Sequence, residues 1–121
     1  MKRTVTILTD ASGDATDYSV PLTGYLEEVI GTIGTHTAGA VDYVVTGAQT
    51  GAALITITNM AASTTYRPRA PTVSSAAGGT ALTFDGTEPV SDRYYLDGEA
   101  IKIVTSDGGN AKTGYLTFVL S

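Results

Sequence analysis

Glu99-Ala100-Ile101-Lys102-Ile103-Val104-Thr105-Ser106, then Asp107-Gly108-Gly109-Asn110-Ala111-Lys112, then Thr113-Gly114-Tyr115-Leu116-Thr117-Phe118-Val119-Leu120, close the chain. In the first run Ile101 and Ile103 share one face, and in the last run Leu116, Phe118 and Leu120 do the same. A period of two belongs to a pleated strand with one buried side and not to a helix, whose apolar positions recur every three or four residues. The six residues between the runs are turn chemistry, because glycine takes positive φ without a Cβ clash, so a β-hairpin is expected here.

The same pattern extends back through the chain. Lys2 to Thr9 places Val5 and Ile7 on one face and Thr4 and Thr6 on the other, before Asp10-Ala11-Ser12-Gly13-Asp14 breaks it. Val41 to Thr46 and Ala53 to Asn59 flank Gly47-Ala48-Gln49-Thr50-Gly51 and read as a second hairpin. In its second arm Ile55 and Ile57 are expected to point into the core, opposite Leu54, Thr56 and Thr58. Helix competes only over Leu22 to Ile33, where Leu26 and Ile30 stand four apart, but Gly24, Gly31 and Gly34 with the β-branched end favour a strand. Ala81 to Phe84, stopped by Asp85-Gly86, and Pro89 to Leu96, stopped by Asp97-Gly98, are shorter strand candidates. Residues 60–79 differ in kind, because Pro68 and Pro71 cannot sit in a central strand, and a long loop or extended edge at about 60–80 is expected. About eight short strands in 121 residues predict one all-β domain spanning 1–121, an antiparallel β-sandwich or jelly-roll-like fold.

Charged residues are 16% of the chain and the formal charge is −5, so the surface is built largely from Thr, Ser, Gly and Ala. The negative balance disfavours a phosphate backbone as partner, and a nucleic-acid binder is not expected. With no Cys and one His, thiol chemistry, disulfides, Cys-based zinc sites and multi-histidine metal sites are excluded by count. The basic start Met1-Lys2-Arg3 runs into a Thr-alternating strand and not into the apolar core of a signal peptide. No run approaches the ~18–20 apolar residues of a membrane span, so no membrane association is expected.

Candidate chemistry is sparse. His36, within Gly34-Thr35-His36-Thr37-Ala38-Gly39, lacks a local nucleophile motif and is expected to be a solvated loop residue; a small hydrolase would have to rest on it alone. Glu27 and Glu28 as strand neighbours would point to opposite faces and so would not form a catalytic carboxylate pair. Asp10 to Asp17 offers alternating oxygens, yet its glycine is at the fourth position and Pro21 stands where a calcium loop needs a bidentate acid. Gly108-Gly109 has no following helix and is no phosphate loop. Neither a catalytic residue, a cofactor nor a metal is expected. The residue types favoured in protein interfaces are Tyr66, Arg67 and Arg69 on the proline-stiffened segment, and the pair Tyr94-Tyr95, of which one ring should face in and one out.

One resemblance rests on an ordered set of residues: Gly24-Tyr25-Leu26; Thr50-Gly51 followed by Leu54-Ile55-Thr56-Ile57-Thr58-Asn59; Tyr66-Arg67-Pro68-Arg69; Val90 with Asp97-Gly98; and Ile101-Lys102-Ile103-Val104 to Lys112-Thr113-Gly114-Tyr115-Leu116-Thr117-Phe118. In this order they resemble small β-sandwich virion proteins of tailed bacteriophages, of the head decoration or cement type. The resemblance implies a structural protein, made in the host cytoplasm and carried on the outer capsid surface. It would form an oligomer, with a trimer favoured, whose partner is the major capsid protein. It also implies that Lys2, Arg3, Tyr66, Arg67, Arg69, Tyr94 and Tyr95 are interface residues. A tail or fibre component, or a carbohydrate-binding module, is the alternative of a different class.

Overall fold

The computed structural model describes residues 1–71 and 91–121. Their strands, in chain order, are β1 (Lys2–Leu8), β2 (Ala15–Tyr18), β3 (Leu22–Thr32), β4 (Asp42–Gly47), β5 (Ala53–Ile57), β6 (Thr64–Tyr66), β7 (Ala70–Pro71), β8 (Ser91–Asp92), β9 (Tyr94–Glu99), β10 (Ile101–Ser106) and β11 (Thr113–Leu120). Two antiparallel sheets face each other. One runs β1-β11-β3-β6, with β9 also on β3, and the other runs β2-β10-β4-β5; β7 and β8 pair apart from both. The all-β sandwich read from the sequence is the fold.

The core lies between the sheets. Ile7, Leu26, Val29, Leu116 and Phe118 come from the first sheet and Tyr43, Val45, Ile101 and Ile103 from the second, all fully enclosed. These are the positions that the period-of-two pattern picks out on β1, β10 and β11. Each Thr on the opposite side of its strand, such as Thr4 and Thr117, faces out, and these two hydroxyls bond to each other at 2.9 Å.

The last two strands do not form the expected hairpin. Ile101–Ser106 pairs with β2 and β4, whereas Thr113–Leu120 pairs with β1 and β3, so residues 107–112 carry the chain from one sheet to the other. Two strands with large apolar faces bury more when those faces meet across the core than when they lie side by side with both faces on one layer. Asp107, Gly109 and Ala111 all take positive φ in this crossing, and Gly108 donates to the Gly13 carbonyl at 2.9 Å and accepts from Thr37 N. The β4–β5 hairpin, by contrast, forms as expected.

Extra residues in the strands explain the remaining departures. In β5 the register slips between Val45 and Thr46 so that Leu54 is the additional residue; Leu54 is buried with Ile57, and Ile55 is only half-buried against the core. Asp97-Gly98 does not end its strand. Gly98, at φ +66°, is the extra residue of a bulge, and β9 continues to Glu99 opposite Leu22. On β3, Val119 faces Glu28 and Leu120 faces Leu26, leaving Glu27 over. Leu26 and Val29 are both enclosed although three apart, so Glu27 and Glu28 share the outer face, against the expectation of opposite faces. The short strand β2 was not evident in the sequence. Of residues 60–79, the described part holds the edge strand β6, the two-residue β7 and Met60, which is buried beneath Gly31. The strand expected at Ala81–Phe84 and the start of that expected at Pro89 lie outside the described residues.

Candidate functional site

The bulge at Glu27 organises the outer face of the five-stranded sheet. Lys2 on β1, Val119 on β11 and Glu28 on β3 stand in one row across three strands. At about 4.8 Å per strand, Lys2 is about 10 Å from Glu28. Glu28 Oε1 accepts from Arg67 Nη2 at 3.0 Å, and the Arg67 side chain is 68% exposed. Beside it, Glu27 accepts from Arg93, and the Arg93 guanidinium lies 4.4 Å above the Tyr25 ring. Tyr25 in turn meets Tyr95 edge to face, with ring centroids 5.1 Å apart, and these rings remain 40% and 56% exposed. The Arg93 hydrogen bond holds the Glu27 carboxyl below its usual range, so the pair is ionised at neutral pH.

The interface residues expected from the sequence divide into two groups. Lys2, Arg3, Arg67 and Tyr95 are exposed on this sheet or its edges. Arg69 is half-buried and pinned, its Nη1 donating to the carbonyls of Glu27 (3.1 Å) and Pro68 (2.7 Å). Tyr66 and Tyr94 pack against the core, so they are supports of the face more than parts of its surface. The one-in, one-out expectation for Tyr94-Tyr95 is met. Tyr25 and Arg93 were missed by the sequence reading. Their signals were present in the alternation of Tyr25 with the buried Leu26 and in the position of Arg93 beside the tyrosine pair. Together, Lys2, Arg67, Arg69 and Arg93 put four of the seven cations of a −5 chain on or beside this face, interleaved with Glu27, Glu28 and Asp97, whereas Arg3 has the phase of Val5 and Ile7 on the other side of the edge strand β1. Such a surface combines arginine forks with exposed tyrosine edges, the side chains enriched in protein interfaces.

His36 is a correction: it is 3% exposed, not solvated. Its Nδ1 lies 2.5 Å from the Tyr43 hydroxyl and its Nε2 lies 3.2 Å from the Ile7 carbonyl. The niche exists because Gly114 lacks a side chain, since a Cβ there would stand 2.5 Å from Nδ1; a Cβ on Gly108 would clash instead with Thr9. The hydrogen bonds to the ring come from a phenol and a carbonyl, and neither is a nucleophile or an orienting carboxylate.

Two other acidic positions are structural. Asp10 Oδ1 accepts from Ser12 N and Asp14 N, which is the turn role expected of it. Buried Glu99 accepts from Gln49 N, Thr50 N and the Thr50 hydroxyl, tying the β4–β5 turn to the end of β9; those bonds hold its carboxyl below the usual range. Among the described residues there is no enclosed pocket and no cluster of three or more metal-ligating side chains. No family model, curated protein or solved structure matches the chain.

Proposed function

We propose that this chain is a structural virion protein of the capsid-decoration type, docking on the outer head surface through the outer face of its five-stranded sheet. The observation that carries the reading is the gathering of Lys2, Arg67, Arg93, Tyr25 and Tyr95 on that single face, joined to the resemblance to phage head proteins. The partner is the major capsid protein, and the bound form is an oligomer, a trimer being favoured. A protein bound only to the assembled, expanded shell stabilises that state by mass action. Several copies of one modest face, presented together, reach through avidity an occupancy that a single copy would not.

The test is a pull-down against expanded, empty heads of the phage that encodes the chain and against unassembled capsid protein, with the mass of the free species measured by light scattering. Binding to expanded heads alone is expected. Tyr95→Ala and Arg67→Ala are each expected to weaken it roughly 5-fold or more, as interface anchors worth about 1 kcal/mol or more do. Occupancy that both variants leave unchanged across a salt series would remove this face from the proposal.

A second reading draws on Tyr25 and Tyr95 alone. An exposed aromatic pair beside an Arg–carboxylate pair suits a sugar ring, whose C–H face stacks on the ring while its hydroxyls bond the charged groups. Failure to bind heads combined with hits on a glycan array, lost in Tyr95→Ala, would place the chain among tail or carbohydrate-binding modules.

A further inference from the structure

His36 occupies a position that neither proposed role uses: it joins the two sheets at one end of the sandwich. Its Nε2 faces the carbonyl of Ile7 on β1, which only accepts, so the proton of the neutral ring sits on Nε2. Nδ1 is then a lone pair and accepts from the Tyr43 hydroxyl on β4, in the opposite sheet. Around this bridge the loop and the sheet crossing are stitched together: Thr37 N donates to Gly108 O, Thr35 N to Thr113 O, and Thr113 N to the Thr35 hydroxyl. Thr9 adds a bond from its hydroxyl to Gly109 O.

We infer that His36 is an acid-sensitive latch, whose protonation ends the Tyr43-to-Nδ1 hydrogen bond, places a charge in the enclosed niche and loosens this end of the sandwich while the remainder stays folded. An imidazolium has two N–H donors and no lone pair, so Nε2–H stays on Ile7 O while the Tyr43 hydroxyl must turn from donating to accepting. The hydroxyl's own proton then loses its acceptor, and a charge is left in an enclosed niche. The groups facing the ring offer that charge no counter-ion. From β4 comes Tyr43, with Tyr66 of β6 near it; burial pushes the Tyr43 phenol up to about 12, so it stays neutral. From β1 comes Ile7 and, just past its end, Thr9, neither ionisable. From the crossing come Gly108 and the backbone of Lys112, whose own side chain lies against Gly109, and from β11 comes Gly114. Enclosure accordingly lowers the imidazole pKa from its usual value, the carbonyls of Ile7 and Lys112 opposing only in part. The unfolded chain therefore binds the proton more readily than the folded one. Stability contributed by the latch is complete above the ordinary imidazole value of about 6.5 and is lost as the pH falls below it toward the lower folded value.

Because His36 is the only histidine in the chain, every imidazole signal belongs to it. The experiment is an NMR titration of that ring in the full chain, with amide hydrogen exchange followed residue by residue between pH 7.5 and 5. The expected result is a midpoint below 6.5, with exchange of residues 33–41 and 107–114 rising at least 10-fold as the ring titrates while the β3–β11 ladder keeps its protection. Tyr43→Phe, which keeps the ring and removes the hydroxyl on Nδ1, is expected to open the bridge already at pH 7.5, raising exchange of the same residues there and shrinking the further rise in acid. His36→Gln is expected to abolish the acid-induced part of the opening if it folds, and the Tyr43→Phe result decides the matter if it does not. A midpoint at or above 6.5 with no local rise in exchange overturns the proposal, as does opening that is global and not confined to this end.

Discussion

At the scale of single residues, half-buried Asp17 and buried Glu99 pull stability in opposite directions. Asp17 sits on β2 opposite Ile103, its Oδ2 enclosed without a hydrogen-bond partner, and burial raises its pKa. A raised carboxyl pKa means that the folded state holds the proton more tightly, so the penalty is absent in acid and grows as the pH climbs through the folded value. Asp17→Asn is expected to raise Tm at pH 7, with the gain shrinking toward zero in acid, as thermal melts across pH would show. Glu99 has the reverse sign. Its pKa is lowered by bonds from Thr50 and Gln49, so its contribution is present above the ordinary carboxyl range and lost as the pH falls through the folded value. Glu99→Gln is expected to lower Tm at pH 7 and to converge on the parent in acid. Gly114→Ala would press a methyl group onto the His36 ring and is expected to cost about 1–3 kcal/mol in denaturant melts, as overpacking of an enclosed site does.

At the scale of strands, alternation was enough to place β1, β10 and β11, because burying one face of a pleated ribbon leaves a mark at every second residue, whereas β3 was read from its glycines and β-branched end. What alternation cannot carry is which strand lies beside which. Ile101 and Ile103 would look the same in a hairpin with Leu116 and Phe118 as they do facing them across the core. The bulges were equally hidden, since one extra residue at Leu54, Glu27 or Gly98 shifts the phase without altering composition. The docking candidates were legible in type but not in company: Arg67 and Tyr95 stood out, whereas Tyr25 and Arg93 joined them only through the β3–β9 register. The bulge at Gly98 predicts that Gly98→Ala, with open space around it but a left-handed backbone, lowers stability by about 1 kcal/mol from strain alone. Ile103→Ala, in the central strand of its sheet, should cost about 2–5 kcal/mol because the enclosed site cannot collapse around the gap. Equilibrium denaturation measures both.

At the scale of the whole molecule, the chain passes repeatedly between sheets: β1 in the first, β2 in the second, β3 in the first, β4 and β5 in the second, β9 in the first, β10 in the second and β11 in the first. Few of its pairings are local, and the first strand closes only on the last. Folding in milliseconds to seconds, not microseconds, is expected in stopped-flow experiments, because such distant pairings must close long loops before they gain contacts. The antiparallel register of β1 and β11, with Lys2 opposite Val119 and Leu8 opposite Thr113, also has a mechanical meaning. Both chain ends emerge on the same side of that ladder, so a load drawn between them meets its rungs one after another, as a zipper does, and never all at once. A tether through the ends would therefore peel β1 away at low force, whereas a load spread over the sheet face would be shared by many rungs together. Attachment by the face is the geometry in which this ribbon is strong.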